Sequence, residues 1–291
     1  MQDRDQRIIV NGIGLNVQDS RRDSKAIVFF HFSGANRVMW KRVVPAFENT
    51  YRVVLLDLRG HGKSDRSRDG YAIDDMARDV AGVIEHLQLG RVHVVGSSLG
   101  AEVGLSLAAN YAEKVISLVC EGAPCSEYGP YSAWQGSEEA FEAHVAEQLT
   151  KMRSTPETVF SSIDALVDAR RGILQTYGWW NEDVEAMVRY GVRSTSHGMY
   201  AESFGRQALA QYMEALFHKR FEEDYRRVTC PLLMALGEDD LEDPDERAAI
   251  EGLCGLAEQG RIVEVEGWLH PYGWLLNPKP MCDVILQFLA I

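Results

Sequence analysis

The chain carries Gly96-Ser97-Ser98-Leu99-Gly100 directly after the apolar run Val92-His93-Val94-Val95 and directly before a helix-like stretch at 101–110. Gly-x-Ser-x-Gly between a strand and a helix is the pattern of a sharp turn that raises a nucleophile. The residue types follow from the geometry. Gly96 and Gly100 have no Cβ, so strand and helix can pass close together. Ser98 then projects from the turn, with its backbone at the positive end of the helix that follows.

The sequence on either side keeps the rhythm that such a junction requires. Residues 8–10, Asn11-Gly12 and 13–17 read as a β-hairpin. Residues 26–30 and 51–56 are continuous apolar runs, the mark of strands covered on both faces. Met76, Val80, Val83, Ile84 and Leu87 recur at helical spacing, and strands are expected at 91–96 and 115–120. This βαβα order implies an α/β fold with a mostly parallel central sheet flanked by helices. After Gly122-Ala123-Pro124 the rhythm breaks. Helix signals dominate to about residue 227, with helices expected at 137–152, 156–175, 182–194 and 203–223. A strand at 232–236, a helix at 245–257, a strand at 261–265 and a last helix at 272–289, interrupted by Pro278 and Pro280, complete the chain. The reading is one α/β domain, 1–125 and 228–291, with a helical cap inserted at 126–227.

The bulk composition excludes several classes. A length of 291 residues suits one large domain with an insertion. The formal net charge of −13 argues against nucleic-acid and anionic-membrane partners, which need basic patches. Five scattered cysteines, with no C-x-x-C pair, argue against a disulfide framework or zinc site. The polar N-terminus lacks the apolar core of a signal peptide, and no run approaches a membrane span. The expectation is a cytoplasmic protein, monomer or homodimer, with a small-molecule substrate and neither metal nor organic cofactor.

A serine hydroxyl needs a base, and the base needs an orienting acid. Of the eight histidines, His270 alone sits on a C-terminal strand-to-helix loop, in Gly267-Trp268-Leu269-His270, and is the candidate base. Asp240, in Gly237-Glu238-Asp239-Asp240 directly after the 232–236 strand, is the candidate acid. Asp239 and Asp243 are near rivals, and Glu121 at the end of the 115–120 strand is a remote one. His31-Phe32-Ser33-Gly34 follows the 26–30 strand, where a backbone N–H could pair with that of Leu99 to hold an oxyanion.

Together these segments resemble the α/β-hydrolase fold superfamily, in its cap-bearing branch of small esterases, lactonases, carbon–carbon hydrolases and related enzymes. The resemblance also takes in Asp57-Leu58-Arg59-Gly60-His61-Gly62-Lys63-Ser64-Asp65, Gly237-x-x-Asp240-x-x-x-Pro244 and the order Ser98, Asp240, His270. It implies Ser98 as nucleophile, Asp240 as acid and His270 as base, with the N–H groups of Ser33 and Leu99 on the oxyanion. One departure stands out: members usually have His-Gly where this chain has His31-Phe32, and a Phe does not readily take positive φ. Gly62-Lys63-Ser64 looks like the end of a phosphate-binding loop. The glycine that motif needs five residues earlier is Asp57, so a structural loop is expected instead.

Substrate specificity is expected in the cap. Tyr128, Tyr177, Trp179 and Trp180, with Phe32 and Trp268 from the main domain, are candidate pocket residues. The same rings could equally glue the cap together. The reading is a serine hydrolase of a small ester, lactone or related carbonyl compound. Carbon–carbon bond hydrolysis, acyl transfer and perhydrolysis are alternatives on the same three groups. A low-turnover binding protein on this fold is the alternative of another class.

Overall fold

The computed structural model describes residues 5–132, 134–237 and 243–290. Among these, eight strands form one sheet: β1 (Asp5–Val10), β2 (Ile13–Asp19), β3 (Ala26–Phe30), β4 (Arg52–Leu56), β5 (Val92–Ser97), β6 (Val115–Glu121), β9 (Leu232–Leu236) and β10 (Gly260–Glu264). Their order is β1-β2-β4-β3-β5-β6-β9-β10. The β1–β2 and β2–β4 pairs are antiparallel, and the rest run parallel. The hairpin at Asn11-Gly12, both at positive φ, opens the sheet as the sequence implies.

Period-two alternation divides the core. In β3, Ile27 and Phe29 face one apolar layer, and Ala26, Val28 and Phe30 the other. The first layer holds Trp40, Val95, Val119, Leu233 and Trp274, with α1 (Val44–Phe47), α10 (Gly273–Leu276) and α11 (Lys279–Leu289) on that side. The second is covered by α2 (Ile73–His86), α3 (Leu99–Asn110), α8 (Phe221–Tyr225) and α9 (Pro244–Cys254). Both faces are buried, which is why the central strands read as unbroken apolar runs.

Between β6 and β9 lie α4 (Glu138–Ser154), α5 (Ile163–Gln175), α6 (Glu182–Tyr190), α7 (Arg206–Phe217) and α8. Here the structure departs from the sequence reading. The helix expected from 156 starts at Ile163, because Phe160 instead bridges to Tyr200. The helix expected to 194 stops at Gly191, and the chain turns into a small antiparallel hairpin, β7 (Val192–Ser194) with β8 (Tyr200–Glu202). Strands of three residues are too short to show alternation. The stretch expected as one helix at 203–223 is two, α7 and α8. The last helix divides into α10 and α11 at Asn277-Pro278, as its prolines suggested.

Candidate active site

Parallel strands deliver their C-terminal ends to one edge of the sheet, and the sequence motifs gather there. Ser98 follows β5 with φ 51° and ψ −118°, outside the ordinary regions for an L-residue. The two flanking glycines make this turn buildable. A Cβ on Gly96 would overlap the Gly100 carbonyl, and one on Gly100 would overlap the Phe30 carbonyl and stand 2.9 Å from that of His31. The first turn of α3 therefore lies against the end of β3, bringing the 31–34 loop to the nucleophile. Such strain persists only where the surroundings over-determine it. Here the Ser98 N–H donates to the Glu121 carbonyl at 2.9 Å, and the Ser98 carbonyl accepts from Ala101 N at 2.7 Å.

His270 lies beyond β10 on the same edge, its side chain one-third exposed. Its Nδ1 lies 2.6 Å from Glu121 Oε1. The ring sits over Gly122, where a Cβ would come within 2.7 Å of Cε1. Glu121 thus touches both sides of the site, through its carbonyl to Ser98 and its carboxylate to His270. Among the contacts between described residues no hydrogen bond joins the Ser98 hydroxyl directly to His270, and such contacts commonly close only around substrate.

The Glu121 carboxylate is 1% exposed and accepts from four groups. Oε1 takes His270 Nδ1 and Trp268 Nε1, the latter at 2.8 Å. Oε2 takes Ser97 Oγ at 2.5 Å and Trp274 Nε1 at 3.1 Å. Burial pushes this carboxyl up, but the His270 charge and the converging donors outweigh it and leave it below the usual carboxylate range. Sequence reasoning ranked Glu121 last among the acids. The signal was there, an acid ending an otherwise apolar strand beside the nucleophile strand.

Asp240 and its rival Asp239 lie outside the described residues. Asp243 is described, and it caps α9 by accepting from the N–H groups of Asp245 and Glu246.

The 31–34 loop is braced by two buried histidines. His31 Nδ1 faces the Phe32 carbonyl at 2.8 Å, so Nε2 accepts from Leu58 N at 3.0 Å. His61 Nδ1 faces the Arg59 carbonyl, so Nε2 accepts from Gly34 N at 3.1 Å. Burial holds both imidazoles below the ordinary histidine pKa, consistent with these neutral tautomers. The Arg59–Ser64 stretch is a structural loop: Ser64 Oγ donates to the Asp57 carbonyl, and Asp57 Oδ2 accepts from Lys63 N. Phe32 does not take positive φ; Gly34 does, at 80°. Ser33 is half-buried at the loop tip, and Leu99 N is the first amide of α3, with no carbonyl behind it in the helix.

The structure distributes the candidate pocket residues unevenly. The Phe32 ring packs 5.4 Å from Tyr272, which stacks on Trp179 at 5.0 Å, which stacks on Tyr177 at 5.1 Å. This ladder runs from the 31–34 loop to solvent, where Tyr177 is 63% exposed. Tyr128 stacks on Phe141, and Trp180 lies under the Arg171 guanidinium. Trp268 is buried, its indole bonded to Glu121. A cavity of about 450 Å³ begins at Ala123, after Gly122, and is walled by Tyr131, Trp134, Phe141 and Phe217.

Sequence reasoning overlooked Glu102, one turn beyond Ser98. Its buried carboxyl accepts from the Tyr212 hydroxyl of α7 at 2.9 and 3.0 Å. Burial, with Glu127 nearby, raises its pKa to about 7 despite that hydrogen bond. Among the described residues no group of three or more His, Cys, Asp or Glu could hold a metal ion. No described helix is long and apolar enough to cross a membrane.

A family model described as alpha/beta hydrolase fold matches residues 25–271. A 2-(acetamidomethylene)succinate hydrolase of Mesorhizobium japonicum is 34% identical over 113 residues, 39% of this chain and 40% of that protein. A 2-hydroxy-6-oxononadienedioate/2-hydroxy-6-oxononatrienedioate hydrolase of Burkholderia vietnamiensis is 38% identical over 122 residues, 40% of this chain and 42% of that protein. These matches span about two fifths of each relative's length. The crystal structure of an E-2-(acetamidomethylene)succinate hydrolase superposes with a TM-score of 0.76 at 25% identity, covering 99% of both chains.

Proposed function

The chain belongs to the alpha/beta hydrolase fold family, and from that premise we propose that it is a serine hydrolase of small carboxylic esters, lactones or related carbonyl compounds. The observation that carries this reading is Ser98, held at φ 51° on the turn between β5 and α3 with His270 on the same sheet edge. Strain of this kind has a use when it exposes a nucleophile.

In the proposed reaction Ser98 Oγ attacks the carbonyl carbon while His270 Nε2 takes its proton. The N–H groups of Leu99 and Ser33 stabilise the tetrahedral oxyanion. His270 returns the proton to the leaving oxygen as the carbon–oxygen bond breaks. Water, deprotonated by the same nitrogen, then releases the acid from Ser98. The sequence pattern nominates Asp240 to orient His270, and Glu121 is the carboxylate seen on its Nδ1. Residues 126–227 act as the cap, and the cavity at Ala123, walled by rings and by Glu127, His144 and Glu246, receives part of the substrate. Carbon–carbon bond hydrolysis is the second reading, because a relative bears the name of an oxononadienedioate hydrolase.

A fluorophosphonate probe, with p-nitrophenyl esters from acetate to decanoate, tests the reading. Labelling and turnover should both vanish in Ser98→Ala and His270→Ala. Folded wild-type protein that neither labels nor turns over would remove it and favour a binding role. A vinylogous diketone in the panel separates ester from carbon–carbon cleavage.

A further inference from the structure

The chain has two carboxylates to weigh as the group that orients the base, Asp240 by sequence pattern and Glu121 by contact. We propose that Glu121, on β6, is the residue that positions His270, in the place the sequence pattern gives to Asp240 after β9. This rests on the serine-hydrolase reading and names the third member of its site.

Four groups point at the Glu121 carboxylate, two at each oxygen: His270 Nδ1, Trp268 Nε1, Ser97 Oγ and Trp274 Nε1. Indole nitrogens donate only, so two of these partners can do nothing else. A protonated Glu121 would aim a fifth hydrogen into a set already filled with donors. The cage therefore selects the ionised acid, and the depressed pKa agrees. A buried anion next to an imidazole stabilises the imidazolium that forms when Ser98 gives up its proton.

Position supports the same assignment. With Nδ1–H committed to Glu121, Nε2 is the basic nitrogen, the one the proposed attack requires. Trp268 and Trp274 bracket His270 in sequence and both bond this carboxylate. Glu121 therefore holds the whole His270 loop at three points. The Glu121 carbonyl accepts the Ser98 amide, and Gly122 forms the seat of the ring. One residue thus sets the distance between nucleophile and base.

The test compares Glu121→Gln, Glu121→Asp and Asp240→Asn for kcat/KM against pH on p-nitrophenyl acetate, with thermal melting to confirm folding. Glu121→Gln should lose about 10³- to 10⁴-fold in kcat. Its acid limb should move to lower pH, because an imidazolium without its anion releases its proton more readily. A purely structural role for Glu121 would not move that limb. Glu121→Asp keeps the charge and should retain the limb with reduced kcat. Asp240→Asn should stay within a few-fold of wild type. If Glu121→Gln fails to fold, Asp240→Asn decides: near-wild-type turnover supports the proposal, and a 10³-fold loss overturns it. An unmoved limb in folded Glu121→Gln overturns it too. Should the wild type show no turnover, the hydrolase reading fails on its own. The low-field Nδ1–H proton resonance of His270 then decides the positioning claim. It should be present in wild type and Asp240→Asn and absent in Glu121→Gln; its persistence in folded Glu121→Gln would overturn the claim.

Discussion

The sheet edge around Glu121 and the helices of residues 126–227 are held in opposite ways. At the sheet edge most contacts are between buried polar groups and specific partners, as with the four donors on Glu121 and the two braced histidines behind the 31–34 loop. The inserted segment has a small buried cluster, Phe141, Val145 and Leu149, and adds to it exposed ion pairs such as Arg153–Glu214, at 53% and 46% exposure, and rings that lie partly in solvent. Buried partners leave few alternatives, whereas exposed pairs contribute little and can be exchanged. Chemistry needs fixed distances, and specificity can be met by a surface that repacks. The two regions meet where Tyr212 of α7 bonds Glu102 of α3.

That contrast can be broken at graded cost. The largest effect belongs to Ser98→Ala, expected to lower kcat by about 10⁵-fold or more with little change in melting temperature. Single-turnover kinetics on an activated ester checks it, and residual activity within tenfold of wild type would dissolve the contrast. Next comes the seam. With its pKa raised to about 7 from 4.5, Glu102 is protonated in the folded chain and ionised in the unfolded chain between those values. Stability should therefore fall as pH rises from about 4.5 to 7, by roughly 3 kcal/mol from this one group. Glu102→Gln should flatten that slope in melts at pH 5, 6, 7 and 8. An unchanged slope would mean that the seam is wetter than its burial implies.

Smaller again is Ser98→Gly, which should stabilise the fold by about 1 kcal/mol as the positive φ becomes free of strain. For a chain this long that is a rise of roughly 1–2 °C, read by calorimetry. The smallest effect is expected at Arg153→Ala, under about 1 kcal/mol in denaturant titration and with unchanged turnover. A loss several times larger would show that the inserted segment is more tightly organised than its exposed pairs suggest.

The same contrast accounts for what the sequence made legible. Gly96, Ser98 and Gly100 announce themselves because the turn's demands fall on five consecutive residues. The strand Ala26–Phe30 does so because burial on both faces makes an apolar run. His270 was legible from its place after the last strand. Glu121 is legible only as a remote rival, because two of its four donors are indoles 147 and 153 residues away. The β7–β8 hairpin escaped notice because three-residue strands leave no period to read. Trp268 was read as pocket lining on its ring alone, whereas its N–H faces Glu121. Phe32 kept ordinary φ because Gly34, two residues on, takes the positive one.

The ladder Phe32–Tyr272–Trp179–Tyr177 links the two regions in another way. Tyr272 stands two residues beyond His270, and Trp179 belongs to the inserted helices. Any motion between them must unstack an indole from a phenol. Indole emission is sensitive to such neighbours. The molecule therefore carries, in one of its six tryptophans, an optical reporter of the packing between these two segments.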